Sequence, residues 1–565
     1  MKSRLWVFRD INPIHREALA KALAISSATA SLFVARGITT ADEASSWMTH
    51  QAPHDPYLIP DMEQAVARLH RAVTSHEPIC FYGDYDVDGM TATSVYLSFF
   101  GSLGANVRAY VPHRQREGYG LNRGAVQRLH DEGVSLLVTS DCGTTSHDEV
   151  ALAKQLGMDV IVTDHHQTDE QMPPAVAVMN PQRVGSRYPF RGLCSAALAY
   201  KVAQAYQIRH GEAGIPLESL LDLVALATVA DVVPLHDENR GFVLEGLAQL
   251  SRSARCGIRA LKQVAGVTRE CTAETIAFKL APRLNAAGRL DDAMLGVQLL
   301  TTESPIEAQR LADRLEQLNR DRQKIETGMM SEAVAMVKEQ ELPAALILAS
   351  RQWHVGVVGI LAARLVERFH RPAIALAIDE KGIGKGSART IDGFNLYQGL
   401  AACRDLVEAF GGHPSAAGVT LRESRLDEFR ERFSGVVAEW ATGAATVPTL
   451  CVDAEVQLSE VTTKLIQEIG ALHPFGAGNP EPTFAVKGLE VMESRTVGDK
   501  HLKMTVRQGR SMPFDGIGFG MKSLIDRGIS ARTAVDLAFI PELNHWNGYE
   551  RIQLRIRDIR MSTQE

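Results

Sequence analysis

Short apolar runs alternate with amphipathic stretches through the first third of the chain. Ile79-Cys80-Phe81-Tyr82, Leu136-Leu137-Val138 and Val160-Ile161-Val162 each lead straight into a polar turn. Short apolar runs between helical stretches read as buried strands. Residues 89–103, 123–132 and 145–156 carry helical spacing, and Ala175–Met179 reads as a further strand. This βαβ grammar predicts a doubly wound parallel sheet. Helix dominates from Leu193 to about Leu300, and the run Leu220–Ala230 predicts a buried helix that delivers Asp231 at its end. Ala308, Leu311, Leu315, Leu318, Ile325 and Met329 then recur at helical steps, interrupted by Arg322. A helix from Pro305 to about Gln340 is long for a globular protein, which predicts a bridge between two domains. Strand and helix alternate again in Ala345–Leu348, a helix through Arg364, and Ala373–Ile378. From about Val447 the period changes to two, in Leu502–Val506 and Ile552–Ile556, with Asn547-Gly548 as a hairpin signal. That tail predicts a small antiparallel β-barrel.

Composition narrows the class. A chain of 565 residues suggests three or four domains. The boundaries expected are a helical lead-in over 1–60, an α/β domain over 61–300, a connecting helix over 301–342, a second α/β domain over 343–446 and the barrel over 447–565. The net charge of −7 excludes a polycation, so nucleic-acid binding would need a local groove or metal ions offsetting carboxylates. Seven scattered cysteines without C-x-x-C spacing argue against structural zinc and fit a reducing compartment. The N-terminus lacks a secretory h-region, and no apolar run spans a bilayer. The expectation is a cytoplasmic protein with no membrane partner, acting as a monomer.

The polar turns after the apolar runs carry the candidate chemistry. They read Gly83-Asp84-Tyr85-Asp86-Val87-Asp88-Gly89, Ser140-Asp141-Cys142-Gly143 and Thr163-Asp164-His165-His166. In parallel sheets ligands gather outside the carboxyl ends of the strands. Acids converging there repel one another unless a cation sits among them. Read singly, each motif is ambiguous. D-x-D-x-D-G serves equally as a helix-capping turn, and it lacks the glutamate of a calcium loop, having Val95 at that position. Asp141 alone fits a helix N-cap. Asp231 stands where the helix dipole disfavours an anion, so it needs compensation. Aspartates and histidines without cysteine favour manganese or magnesium. Two such ions about 3.5–4 Å apart would activate water and clamp an in-line phosphoryl displacement.

Together, Asp-Tyr-Asp-Val-Asp-Gly, Ser-Asp-Cys-Gly, Thr-Asp-His-His and Ala230-Asp231-Val232-Val233-Pro234-Leu235 resemble the four motifs of the DHH phosphoesterase family. The likeness is greatest to its single-stranded-DNA exonuclease branch and runs from about Pro78 to Ile559. It includes the segments 278–289, 353–360 and 473–482, with Lys385–Arg389 and Phe410–His413 of a DHHA1 domain. The resemblance implies a DHH catalytic domain, a DHHA1 substrate-binding domain and a C-terminal OB-fold. It implies Asp84, Asp86, Asp88, Asp141, His165 and Asp231 as metal ligands, with Asp141 bridging and His166 supporting or contacting phosphate. It also implies that Arg114 holds the DNA 5′-end phosphate, with Ser387 and Arg389 across the cleft.

Other polar residues leave two readings. Tyr119 beside Arg114 and Arg116 offers a stacking face, or belongs to a solvated loop. Arg283, Asn285 and Arg289 either neutralise the scissile phosphate or cap helices and pair domains. His413 either reaches the cleft or is a turn residue. Arg495, Lys500, Lys503, Arg507 and Arg510 form either a groove for single strands or a guarded strand edge, and Trp546 either stacks a base or fills core. The activity implied is a metal-dependent 5′→3′ exonuclease that degrades single-stranded DNA to 5′-mononucleotides in recombination and repair. Its implied partners are a helicase and a single-strand-binding protein. A phosphodiesterase for short oligonucleotides or cyclic dinucleotides is the alternative hydrolase, and an inactive DNA-binding scaffold the alternative outside enzymes. The barrel argues against the first and the complete ligand set against the second.

Overall fold

A computed structural model describes residues 4–49, 52–211, 214–337, 342–441, 447–526, 528–546 and 549–562. The chain divides into two compact units. One is built from Pro53–Val233 and Phe242–Thr446, the other from Met1–Ala52, Pro234–Gly241 and Val447–Glu565.

The first unit holds a five-stranded sheet in the order Val107–Tyr110, Ile79–Tyr82, Leu136–Ser140, Asp159–Thr163, Ala177–Met179, with every pair parallel. The central strands are buried throughout, as parallel strands covered on both faces must be, which is why they read as unbroken apolar runs. The edge strand Val107–Tyr110 escaped the sequence reading. Its V-R-A-Y carries Arg108, which reaches Glu132 at 2.8 Å because the strand is only half-buried. The first strand in sequence lies between the second and third, so the connections diverge and leave a crevice at the carboxyl ends. The helices Val87–Ser102, Ser195–His210 and Leu221–Ala230 pack together, and the last is apolar over nearly its whole circumference because it is enclosed.

The predicted long helix is Pro305–Met336, opened by a Ser304 cap that accepts from the Glu307 amide. Arg322, the break in its apolar spacing, is satisfied along the helix by Glu326 and by Asn319 Oδ1. Beyond it lies a second five-stranded sheet, ordered Ala409–Gly412, Ala416–Arg422, Ile383–Arg389, Ala373–Ile378, Leu346–Ser350. Only its last pair is parallel.

The second unit redraws one expected boundary. Residues 1–60 do not stand apart as a helical lead-in. The strand Leu5–Phe8 pairs in parallel with Thr449–Val452. Leu19, Leu32 and Phe33 share a core with Leu489, Leu502, Leu537 and Phe539 of the tail. In the tail, Phe484–Val497 pairs with His501–Arg507 on one side and Ala534–Trp546 on the other, so the sheet curls back on itself. Two pairs among the described strands of the tail depart from the antiparallel expectation: Phe514–Gly518 runs parallel to Tyr549–Met561, and Ala454–Glu455 runs parallel to Phe484–Val497. Asn547 and Gly548, and the side chain of Trp546, lie outside the described residues. Among the described residues no helix is long and apolar enough to cross a membrane.

Candidate active site

Three adjacent strands deliver the acidic turns to one edge of the first sheet. Asp84 follows Ile79–Tyr82, Asp141 follows Leu136–Ser140, and His165 follows Asp159–Thr163. Asp141 lies in the left-handed region at φ 67°, which aspartate tolerates. Its amide donates to the Thr163 carbonyl at 3.0 Å and its Oδ1 accepts from Ser195 Oγ at 3.1 Å. The turn leaves no room beyond it: a Cβ on Gly143 would stand 2.7 Å from Thr139 Oγ1. Asp86 caps the helix Val87–Ser102, accepting from the amides of Asp88 and Gly89. Asp88 faces the start of Ser195–His210, where the amides of Ser195 and Ala196 donate to its two oxygens at 2.7 and 2.9 Å. Asp231 ends the helix Leu221–Ala230.

Their ligand atoms converge. His165 Nε2 lies 3.2 Å from Asp141 Oδ1, 3.6 Å from Asp231 Oδ2 and 3.7 Å from Asp88 Oδ2. Three overlapping groups have geometry that could hold a metal ion: Asp84, Asp86 and Asp141; Asp88, His165 and Asp231; Asp141, His165 and His166. Asp141 is common to two of them. Burial, and then the charge of Asp86, pushes Asp84 well above the usual carboxylate range. Burial and the neighbouring aspartates do the same to Asp141 and carry Asp231 up to about 9. Burial holds His165 below its ordinary value, against the pull of Asp88. His165 Nε2 and Asp84 Oδ1 are buried without a hydrogen-bond partner among the described residues. Orphaned ligand atoms inside a cluster of mutually repelling acids fit divalent cations.

Asp164 has a different task. It accepts from the Thr144 amide at 3.0 Å and from His166 Nδ1 at 2.8 Å. Burial would lower His166, but this hydrogen bond and the Asp164 charge raise it to about 9. Tyr119 donates from its hydroxyl to the Asp141 carbonyl at 3.0 Å and lies 3.3 Å from His166 Nδ1. The His413 ring, from the turn between Ala409–Gly412 and Ala416–Arg422, is nearly parallel to that of His166, with centroids 6.2 Å apart.

Beside the cluster lies a cavity of about 360 Å³ lined by Arg114, Lys385, Ser387 and Arg389. Arg389 donates to Ser387 Oγ at 2.9 Å. Arg114 rests 4.8 Å above the ring of Tyr85. Arg289 stands close by, held down to about 10 by burial and then by the charges of Arg114, Arg322 and Arg389. Crowded cations of this kind suit a phosphate.

Comparison with known proteins covers nearly the whole chain. Family models match for the DHH family N-terminal domain over residues 78–228, the DHHA1 domain over 323–439 and the RecJ OB domain over 452–558. The single-stranded-DNA-specific exonuclease RecJ of Bacillus subtilis is 40% identical, over 97% of this chain and 69% of that protein. The chain belongs to the RecJ family. The RecJ of Escherichia coli is 36% identical, over 94% of this chain and 95% of its own length. The crystal structure of RecJ in complex with Mn2+ from Thermus thermophilus superposes with a TM-score of 0.85 at 28% identity, covering 99% of this chain and 80% of that one. RecJ from that organism has also been solved with Mg2+.

In this RecJ-family chain, two expected catalytic residues have partners within the fold. Arg283 pairs with Glu316 of the long helix at 2.6 Å and donates to the Lys279 carbonyl. Asn285 accepts from the Val87 amide at 3.2 Å, so it braces the loop that carries Asp86. Of the three polar residues in that segment, Arg289 is the one set among the pocket arginines. The sequence reading left Asp164, Ser195 and Tyr85 without roles. Asp164 could have been found as the second member of Thr-Asp-His-His. Ser195 carries no local signal, because only the fold brings it to Asp141.

Proposed function

We propose that this chain is a metal-dependent exonuclease that degrades single-stranded DNA from the 5′ end to 5′-mononucleotides, in recombination and repair. The observation that carries the reading is the convergence of Asp88, Asp141 and Asp231 on His165, whose buried Nε2 has no hydrogen-bond partner among the described residues, beside Asp84 and Asp86 grouped with the same Asp141, in a RecJ-family chain. Manganese or magnesium, most simply as two ions held by these six residues, would supply the Lewis acidity that activates water and neutralises the scissile phosphate. Asp141, common to two ligand groups, is the residue to share between ions. His166, charged through Asp164, presents Nε2–H to a phosphate oxygen. Arg289 adds fixed positive charge without carrying a proton in or out.

Arg114, Ser387 and Arg389 take the 5′-terminal phosphate, and Tyr119 and His413 flank the first nucleotide. Arg114 lies over the residue between Asp84 and Asp86, so the end pocket and the ligand cluster are neighbours. That adjacency suits release of one nucleotide at a time. Arg495, Lys500, Lys503, Arg507 and Arg510 of the C-terminal barrel would track the strand further along. A phosphodiesterase for very short substrates has no need of such a barrel. A helicase and a single-strand-binding protein would supply the strand, in the cytoplasm where the DNA lies.

The test is digestion of end-labelled single and double strands with manganese, magnesium or chelator. Mononucleotides should appear from the 5′ end of single strands only, and chelator should stop the reaction. Asp141→Ala should lower the rate by about 10³-fold or more with the fold intact. Full activity in that variant would remove Asp141 from the site.

A further inference from the structure

Arg114 is held in an unusual way. Among the described residues it makes no hydrogen bond and no ion pair, and its guanidinium lies over the face of Tyr85, 4.8 Å from guanidinium carbon to ring centroid. Tyr85 belongs to the metal-ligand loop, between Asp84 and Asp86. Its backbone is clamped: a Cβ on Gly288 would stand 2.0 Å from the Tyr85 carbonyl oxygen, so the helix Ala281–Leu290 rests directly on it. Asn285 on the same helix fixes Val87, two residues on. The edge of Tyr119 meets the ring at 6.5 Å and limits its swing. Among the described residues the Tyr85 hydroxyl has no hydrogen-bond partner, so the ring face is what the loop offers Arg114.

A guanidinium stacked on an aromatic face keeps its N–H groups free in the ring-parallel plane for a bidentate anion. A carboxylate partner would hold it as firmly but would compete with phosphate. We propose that Tyr85 is a positioning residue that holds Arg114 ready for the terminal phosphate and ties the end pocket to the aspartate loop. The proposal rests on the assignment of Arg114 to the 5′-phosphate. It predicts that the aromatic ring at position 85, and not its hydroxyl, sets the discrimination between phosphorylated and unphosphorylated ends.

The test measures binding, not cleavage. Fluorescence anisotropy in chelator would compare 5′-phosphoryl and 5′-hydroxyl oligonucleotides with the full-length chain, its Tyr85→Phe, Tyr85→Leu, Tyr85→Met and Arg114→Ala variants, and the Tyr85→Leu/Arg114→Ala double variant. Tyr85→Phe should keep the preference of the parent chain. Tyr85→Leu and Tyr85→Met should reduce it by about 5-fold, the size expected of a cation on an aromatic face. In the Arg114→Ala background Tyr85→Leu should cost nothing further. Thermal melts identify any variant that fails to fold, and the two non-aromatic replacements cover each other. If Arg114→Ala removes the preference and the folded non-aromatic variants retain it, the Tyr85 proposal is wrong while the end pocket stands. If Arg114→Ala leaves the preference intact, or the parent chain has none, the pocket assignment fails and the Tyr85 proposal falls with it.

Discussion

Asp164 and Val232 stand next to the expected ligands His165 and Asp231 and can be changed without replacing either. Asp164→Asn keeps the shape of the side chain and removes the charge from His166. The His166 pKa, raised to about 9 by that carboxylate against burial, should then fall. His166 is protonated below its pKa, so lowering the pKa removes the cation from the alkaline side first. Activity should drop roughly 10–100-fold, as for other residues that orient a site histidine. The alkaline limb of the pH–rate profile should move to lower pH, and an unmoved limb would rule out this role. Val232, next to Asp231, has φ 59° with a branched and exposed side chain. A left-handed Val stores about 1–3 kcal/mol that Gly would release, offset by up to about 1 kcal/mol of chain entropy. Val232→Gly should therefore gain about 1 kcal/mol in urea unfolding, and a loss would show that the side chain has a contact of its own. The residues that the family motifs single out lie within short segments, Asp84, Asp86, Asp88, Asp141 and His165, and the structure draws them into groups that could hold an ion. Ser195 did not declare itself, and Arg289 could not be told apart from Arg283, because neither hydrogen-bond donation to Asp141 nor proximity to Arg114 leaves a trace in local spacing.

Element by element, the chain announces what it buries on both faces. Ile79–Tyr82, Leu136–Ser140 and Leu221–Ala230 read correctly because enclosure makes most of their positions apolar. Val107–Tyr110 did not, since an edge strand with Arg108 paired to Glu132 has no such constraint. The helices Pro13–Leu23 and Ser27–Ala35 fall within the expected helical lead-in, but their partner was not legible. Their apolar faces are completed by strands more than four hundred residues later, including Leu502 and Phe539. Glu468 also ties them, accepting from the Ser26 hydroxyl and the Thr29 hydroxyl, each at 2.6 Å. Phe33, 1% exposed, sits in that shared core. Phe33→Ala should destabilise the unit containing the barrel by about 3–5 kcal/mol. A denaturant melt followed by the fluorescence of Trp6, whose ring nitrogen donates to Asp558 in the same unit, would register it. A change within about 0.5 kcal/mol would mean that the N-terminal helices are not part of that cooperative unit.

For the whole molecule, stability is bound to metal and pH through the acidic cluster. In the metal-free chain, burial and mutual repulsion raise Asp84, Asp88, Asp141 and Asp231 above their unfolded values near 4. A carboxyl raised on folding keeps its proton where the unfolded chain has lost it. Between about pH 4 and the folded pKa the native state therefore binds more protons, and its stability falls as pH rises. The slope is about 1.4 kcal/mol per pH unit for each retained proton. The window closes near 9 for Asp231 and depends on burial for the others. A bound cation requires those carboxylates ionised and His165 neutral, which its lowered pKa already favours. Metal must therefore displace protons, and less displacement is needed as pH rises. Adding manganese should raise the melting temperature by a few degrees more at pH 8.5 than at pH 5.5. Calorimetry at neutral pH in buffers of different ionisation enthalpy should find about one proton or more released per chain. Asp141→Ala should flatten both responses. Equal stabilisation by manganese at the two pH values, with no proton released, would mean that the ion binds away from this cluster.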